Sequence, residues 1–231
     1  MNIQKLEWDS NLFGYEVGKV TIADENVDLQ DILNLNDVFR LMYLESKVAI
    51  DKKELDRSFI KVTYSKQVET LTPHLEAEEN LRTEKLTGKF TDQLLNLSFQ
   101  SGMFSRFKLD PNFRNNEFMK LYTKWVENSL SGEVADTVEA VKDSDSNIIG
   151  FVTIKFNPEF SEIGLIAVNN QKRRLGVGSL LLKKVNQLSV EKQCSKIIVS
   201  TQQDNYMACK FYEKNGFKKI SKSYIYHLWL N

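Results

Sequence analysis

The chain carries no surplus of either charge. Its 31 lysines and arginines balance 31 aspartates and glutamates. There is therefore no global basic field to hold nucleic acid, and a small ligand or a protein partner is favoured. No apolar run approaches the ~20 residues a membrane helix needs, so no membrane association is expected. The first residues are polar (Asn2, Gln4, Lys5) and show no signal-peptide pattern, so a cytoplasmic setting is expected. Cysteine and histidine are scarce. Cys194 and Cys209 lack metal-ligand spacing, and His74 and His227 do not cluster, which points to reduced thiols and no metal. No repeat or low-complexity segment appears. What remains is an ordinary globular composition over 231 residues, 42% apolar and 27% charged, enough for one large domain or two small ones.

The most informative stretch is 160–182, FSEIGLIAVNNQKRRLGVGSLLL. Residues 161–168 read as a buried strand, with Ile163, Leu165, Ile166 and Val168 apolar. A turn at 169–175 holds Lys172, Arg173 and Arg174 in a row. Gly176 and Gly178 then open a helix whose apolar residues are Val177, Leu181, Val185 and Leu188. A helix N-terminus offers unpaired N–H groups and the positive end of the peptide dipoles, and glycine lets a ligand approach the backbone. The combination predicts an anion site suited to phosphate or pyrophosphate.

Along the chain, residues 3–22 read as two short strands joined by a turn at 8–14, with Gly14 and Gly18 as permissive positions. A short helix from about Asp28 and strands at 41–50 and 59–64 complete a small α+β unit. Residues 69–80, with Pro73 and an acidic run, read as a connector, giving an N-terminal unit over 1–78 and a second over 79–231. Beyond it come a strand at 81–86, a helix capped by Thr91 and a long irregular stretch at 101–116 of the kind that is often functional. An amphipathic helix follows at 117–130. Three strands then occupy 134–141, 148–156 and 163–168, the first two joined by a hairpin-length turn. After the glycine helix come a strand at 196–201, a helix at 206–215 capped by Asp204 or Asn205, and a strand at 224–230. A meander feeding a strand, a glycine turn and a helix is not the alternating βαβ order of a dinucleotide fold.

Arg173-Arg174-Leu175-Gly176-Val177-Gly178 resembles the R/Q-x-x-G-x-G/A signature of the GCN5-related N-acetyltransferases (GNAT). Residues 205–217, NYMACKFYEKNGF, resemble the family's N-x-x-A-x-x-F-Y-x-x-x-G-F block. Over the whole chain there is similarity to the dTDP-fucosamine acetyltransferases, carried by LEWDSNLFG at 6–14 and by Ser105-Arg106-Phe107 followed by Phe118 and Trp125-Val126-Glu127-Asn128. Leu12 stands where that pattern prefers Phe. The resemblance implies an α/β (α+β) GNAT fold with a mixed, mostly antiparallel sheet, preceded by a truncated GNAT-like unit. It implies acetyl-CoA as co-substrate and a nucleotide-linked amino sugar as acceptor, and leaves a homodimer open.

By the same resemblance, N–H groups from Arg174, Leu175, Gly176, Val177, Gly178 and Ser179 hold the pyrophosphate, with Lys172 and Arg173 adding charge. The strand through Leu165, Ile166, Ala167 and Val168 would pair with the pantetheine arm, and an N–H near Ile166 or Ala167 would polarise the thioester carbonyl. Asn205 and Ala208 are cofactor contacts, Asn205 being equally an N-cap. Tyr212 is the general acid for the departing thiolate, or else a core aromatic beside Phe211. Asp9, Ser10 and Arg106 are candidate acceptor contacts. Arg106 suits a phosphate, while Asp9 and Ser10 suit either sugar hydroxyls or a cap. Glu162 and Glu139 are candidate bases or plain strand carboxylates. An acceptor of another class, a small amine or a protein N-terminus, remains open, as does a non-catalytic CoA-binding sensor.

Overall fold

The computed structural model describes residues 3–23, 28–55, 58–70, 81–88 and 91–230. Most of the 69–80 connector lies outside the described residues. Ten strands form one sheet. They are β1 (Ile3–Lys5), β2 (Val17–Ile22), β3 (Leu41–Ser46), β4 (Ser58–Gln67), β5 (Thr83–Lys85), β6 (Thr137–Lys142), β7 (Ile148–Phe156), β8 (Phe160–Val168), β9 (Lys196–Gln202) and β10 (Lys218–Trp229). Their spatial order is β1-β2-β3-β10-β4-β9-β8-β7-β6-β5. Only β2–β3 and β8–β9 pair in parallel, so the mixed, mostly antiparallel sheet expected of the sequence is what the chain adopts.

Each half contains a parallel pair joined through a helix: β2 and β3 through α2 (Gln30–Leu33), β8 and β9 through α6 (Val177–Glu191). The halves exchange their last strands. β10 lies against β3, β4 lies against β9, and the two exchanged strands pair with each other. β2–β3 is in register over all six residues, Val17↔Leu41 to Ile22↔Ser46, whereas β8–β9 is paired over only four.

The alternation of side chains assigns the layers. One face carries Val17, Leu41, Tyr43, Val138, Ala140, Phe151 and Leu165, packed under α1 (Glu7–Phe13), α3 (Asp92–Ser101) and α5 (Glu117–Leu130). The opposite face carries Val62, Tyr64, Val152, Ile163, Ile197 and Val199 under α6 and α7 (Tyr206–Lys214), with a satellite core around Ile32, Met42 and Leu44 at the N-terminal end. Among the described residues no helix is long and apolar enough to cross a membrane.

Three local readings are corrected. The expected turn at 8–14 is instead helical over residues 8–13, within α1, whose Ser10 hydroxyl donates to Leu6 O (2.8 Å) and which Gly14 ends in the left-handed conformation (φ 79°). Gly18 belongs to β2, not to a turn, and a Cβ there would fall 2.3 Å from Met42 Sδ. The final strand starts six residues earlier than 224 because Lys218–Ser223, though polar, is clamped along β4. The 101–116 stretch holds a one-turn helix, α4 (Arg106–Leu109).

Candidate active site

The parallel ladder of β8 and β9 runs only from Phe160↔Lys196 to Ile163↔Val199. Beyond it β8 stays with β7 as far as Val168, while β9 stays with β4 as far as Gln202. A wedge opens between the two strands, and one edge of Gly164–Val168 has no ladder partner. The cause is a bulge. Val152 opposes Ile166 and Ile154 opposes Ile163, so Thr153 alone faces Gly164 and Leu165. The Leu165 N–H donates to Thr153 Oγ1 (2.8 Å). A Cβ on Gly164 would fall 2.8 Å from that same oxygen, and 3.6 Å from Trp125 Nε1 on α5.

The loop from Val168 to α6 lies at the wide end of the wedge. Asn169 starts it by accepting from Gln171 N–H (2.9 Å). Arg174 (φ 66°) and Gly176 (φ 78°) are both left-handed, which turns the chain sharply into the helix. No side chain caps α6, so its first N–H groups are left for an external acceptor. Arg173, Arg174, Leu175, Gly176 and Ser179 are exposed, and Val177 is buried. Lys172 is engaged with Asp143 (3.6 Å), which leaves Arg173 and Arg174 as the outward cations of the run.

The other lip of the wedge is the start of α7. Asn205 caps it, its Oδ1 accepting from Ala208 N–H (3.2 Å). Phe211 packs against the α6 terminus, where a Cβ on Gly178 would be 3.0 Å from its ring. Tyr212 is 3% exposed, with Phe211, Phe217 and Tyr64 rings 5.5, 5.7 and 5.8 Å away. Burial, with a smaller effect of Cys209, pushes its phenol well above the usual range, so it stays protonated as a proton donor must.

Arg106, at the start of α4, stacks on the Tyr43 ring at 3.8 Å and on Phe107 at 4.2 Å. Its Nη1 lies 2.8 Å from His227 Nε2. A guanidinium only donates, so Nε2 accepts and the proton of a neutral His227 sits on Nδ1. Nδ1 lies 2.5 Å from Asp110 Oδ2, which also accepts from Trp229 Nε1–H (2.9 Å). Burial and the Arg106 charge bring His227 down to about 4, against the opposing pull of Asp110. Asp9 is raised by burial and pulled back by Arg106 and Tyr43, which brings Asp9, Tyr43 and Arg106 into one cluster. Among the described residues, Tyr43 Oη and Ser105 Oγ are buried without a well-aligned hydrogen bond, the first beside Asp9 and Arg106 and the second beside Tyr122.

Ser10 is not in that cluster. Its hydroxyl donates to Leu6 O and accepts from Val17 N–H (2.9 Å), tying α1 to β2 inside the core. The two candidate carboxylates are separated by the sheet. Glu139 is 3% exposed and accepts from Thr137 (3.0 Å) on the α6 side. Glu162 alternates with the α6-facing Ile163 and is exposed on the opposite face, just before the bulge.

Sequence reasoning missed Tyr43, Asp110, His227 and Trp229, and gave Ser105 only as part of a family motif. Ser105 and Asp110 sat in a stretch read as irregular, and His227 and Trp229 in a strand read only for its apolar residues. The one available signal was the i, i+2 spacing of His227 and Trp229, which puts both on one face.

The profile of the acetyltransferase (GNAT) family matches residues 93–217, more than half of the chain. Spore coat polysaccharide biosynthesis protein SpsD of Bacillus subtilis (strain 168) is 26% identical over 141 residues, covering 60% of this chain and 47% of that protein. N-alpha-acetyltransferase 30 of Xenopus laevis is 35% identical over 66 residues, 29% of this chain and 24% of that one. The chain thus spans less than half the length of these curated relatives. Among solved structures, a functionally unknown conserved protein from Staphylococcus epidermidis ATCC 12228 superposes with a TM-score of 0.69 at 15% identity, over 100% of this chain and 93% of that one. A tandem GNAT protein from the clavulanic acid biosynthesis pathway gives 0.54 at 11% identity, over 82% and 64%. At such identities these two speak to the fold alone.

Proposed function

This chain belongs to the GNAT acetyltransferase family, and from that premise we propose that it transfers acetyl from acetyl-CoA to the amine of a nucleotide-linked amino sugar, of the dTDP-4-amino-4,6-dideoxyhexose type, in a ternary complex. The observation that carries the reading is the wedge between β8 and β9, with an uncapped helix N-terminus at its mouth. An extended pantetheine arm pairs with the free edge of Ile166–Val168 as a further strand would, and the pyrophosphate meets the N–H groups of Gly176–Ser179. Arg173 and Arg174 add charge from outside, and Asn205 and Ala208 flank the arm at the second lip.

The neutral amine attacks the thioester carbonyl, forming the C–N bond. An N–H at Ile166 or Ala167 receives the developing oxyanion. The C–S bond then breaks, Tyr212 gives its proton to the thiolate, and the amine proton leaves through water, with Glu162 as the carboxylate on the acceptor face. The buried phenol keeps its proton until the thiolate departs, which is what a general acid at this position requires.

Two observations favour a polar, anionic acceptor. The cluster of Asp9, Tyr43, Ser105 and Arg106 gathers a guanidinium, a carboxylate and two buried hydroxyls on the acceptor face. SpsD is named for polysaccharide biosynthesis. The likeness to N-alpha-acetyltransferase 30 covers 66 residues, too few to include both Asp9 and Tyr212. The test supplies purified protein with acetyl-CoA and a panel of dTDP-4-amino-4,6-dideoxyhexoses and follows release of free CoA. Release with at least one of them supports the reading. Tight CoA binding with no release would leave a CoA-binding sensor in its place, and acetylation of peptide N-termini alone would move the enzyme to another acceptor class.

A further inference from the structure

Four neighbouring strands present one charged network on the face of the sheet shared with Tyr43 and Arg106. Lys19 of β2 and Lys61 of β4 both reach Glu45 of β3, at 2.6 and 3.0 Å, and Ser223 of β10 donates to the same carboxylate at 2.9 Å. Burial would raise Glu45, but the two ammonium groups outweigh it and hold the carboxyl down at about 2, fully ionised. One carboxylate between two lysines leaves a unit of positive charge. It also leaves each ammonium with donors to spare, since each carries three and spends one on Glu45. The lysine side chains remain about a third exposed, at 35% and 37%.

Position gives this network its meaning. Lys61 stands opposite Gln202, the last residue of β9 and thus the lip of the wedge. Lys19 stands opposite Tyr43, on whose ring Arg106 is stacked. From the wedge across β4, β10 and β3 the same face is polar and reaches solvent at Ser200, Thr63, Lys61 and Ser223. At about 4.8 Å per strand, Lys61 lies one strand from β9, and the network extends roughly 14 Å further to Lys19. That is the span over which a sugar with its amine in the wedge would lay the rest of a nucleotide.

Resting on the acetyltransferase reading above, we propose that Lys61 and Lys19, held by Glu45, bind the diphosphate of the acceptor nucleotide. Arg106, already committed to His227 and beside Asp9, then lies with Tyr43 and Ser105 at the end of this face far from the wedge, and serves the part of the nucleotide beyond the diphosphate. The division follows from exposure and charge. The lysines are open and carry a surplus charge, whereas Arg106 is sandwiched between rings with a carboxylate beside it. The pyrophosphate of CoA is separately provided for at the α6 terminus.

The probe is dTDP alone, the nucleotide without the sugar, titrated into the full chain by calorimetry. The wild type binds it, and Lys61→Gln and Lys19→Gln each weaken it roughly ten- to hundredfold, the cost of losing a charge-assisted contact. Lys61→Arg, which keeps the charge and the Glu45 pair, retains most of the affinity. In turnover, Lys61→Gln raises KM for the nucleotide-linked acceptor and leaves KM for acetyl-CoA alone. If the wild type does not bind dTDP, or if Lys61→Gln binds it as the wild type does, the site assignment is overturned, even where amine acetylation proceeds. A rise in KM for acetyl-CoA instead would assign the lysines to the cofactor and overturn it equally. Absence of acetyl transfer to any amino sugar, with dTDP binding intact and lysine-dependent, would remove the reaction and leave the nucleotide site standing.

Discussion

Thr153 Oγ1 accepts the N–H of Leu165 at 2.8 Å, and this bond stabilises the extra residue that turns β8 over. Before the bulge, Ile163 faces α6. After it, Leu165 and Ala167 face α3 and α5, and Ile166 and Val168 take the α6 side. One residue of slip reverses every side chain beyond it. The reversal comes where β8 leaves β9, so the bulge ends one ladder and frees the backbone for another.

Thr153→Val therefore removes the acceptor of the buried Leu165 N–H while keeping the shape of the side chain. The expected loss is about 1–3 kcal/mol of stability, seen in a denaturant midpoint. Acetyl-CoA affinity should fall as well, because the bulge shapes the edge on which the arm is proposed to pair. A variant with unchanged stability and unchanged affinity would deny the bond its role.

Gly176→Glu places a Cβ and a negative charge where φ is 78° and where the pyrophosphate is proposed to sit. Strain and charge repulsion act together, and calorimetry should show CoA affinity reduced by more than about tenfold. Intact affinity would remove the α6 terminus from the proposed site.

Tyr212→Phe keeps the ring that Phe211, Phe217 and Tyr64 pack against, so the melting temperature should change little. Loss of the proton donor should lower kcat by about 10²- to 10⁴-fold with CoA binding preserved. An unchanged kcat would return Tyr212 to a packing role.

His227 sets a pH dependence. Its folded-state pKa, near 4, is below its ordinary 6.5 because burial and Arg106 disfavour the imidazolium. The unfolded chain therefore binds the proton first as pH falls. This contribution to stability is present in full above about 6.5 and is lost progressively between 6.5 and 4. Asp110 favours the proton on His227 without outweighing burial, and is itself held low by the same hydrogen bond, so its own loss comes at still lower pH. Urea midpoints measured from pH 7 to 4 should fall for the wild type and fall less steeply for His227→Gln. Parallel slopes would mean the histidine does not titrate in that window.

Much of this architecture was legible in the chain. Helix α5 has the bounds its apolar spacing indicates, because Leu121, Tyr122 and Val126 are buried on one stripe and Asn116 and Gly132 bracket it. The glycine turn into α6 was legible because few sequences place two glycines after a strand and before an amphipathic helix. The polar half of β10 was not legible. Lys218–Ser223 lies on a part-exposed face and owes its strand conformation to β4, 150 residues earlier, rather than to its own pattern. The Asp110–His227–Arg106 chain was hidden for a related reason. Its members come from a short helix, the turn after it and the last strand, and no periodicity links them.

The exchange of β4 and β10 also has a temporal side. A chain made from its N-terminus exposes β3 and β4 long before their partners exist. Each waits with an open edge until β9 and then β10 emerge. Such edges are the usual route to misassociation, and β4 carries the lysine that the acceptor is proposed to meet. Severing the chain between 78 and 79 would leave β4 in one piece and both of its neighbours in the other. The central sheet thus closes only once β10 has been made, about 150 residues after β4.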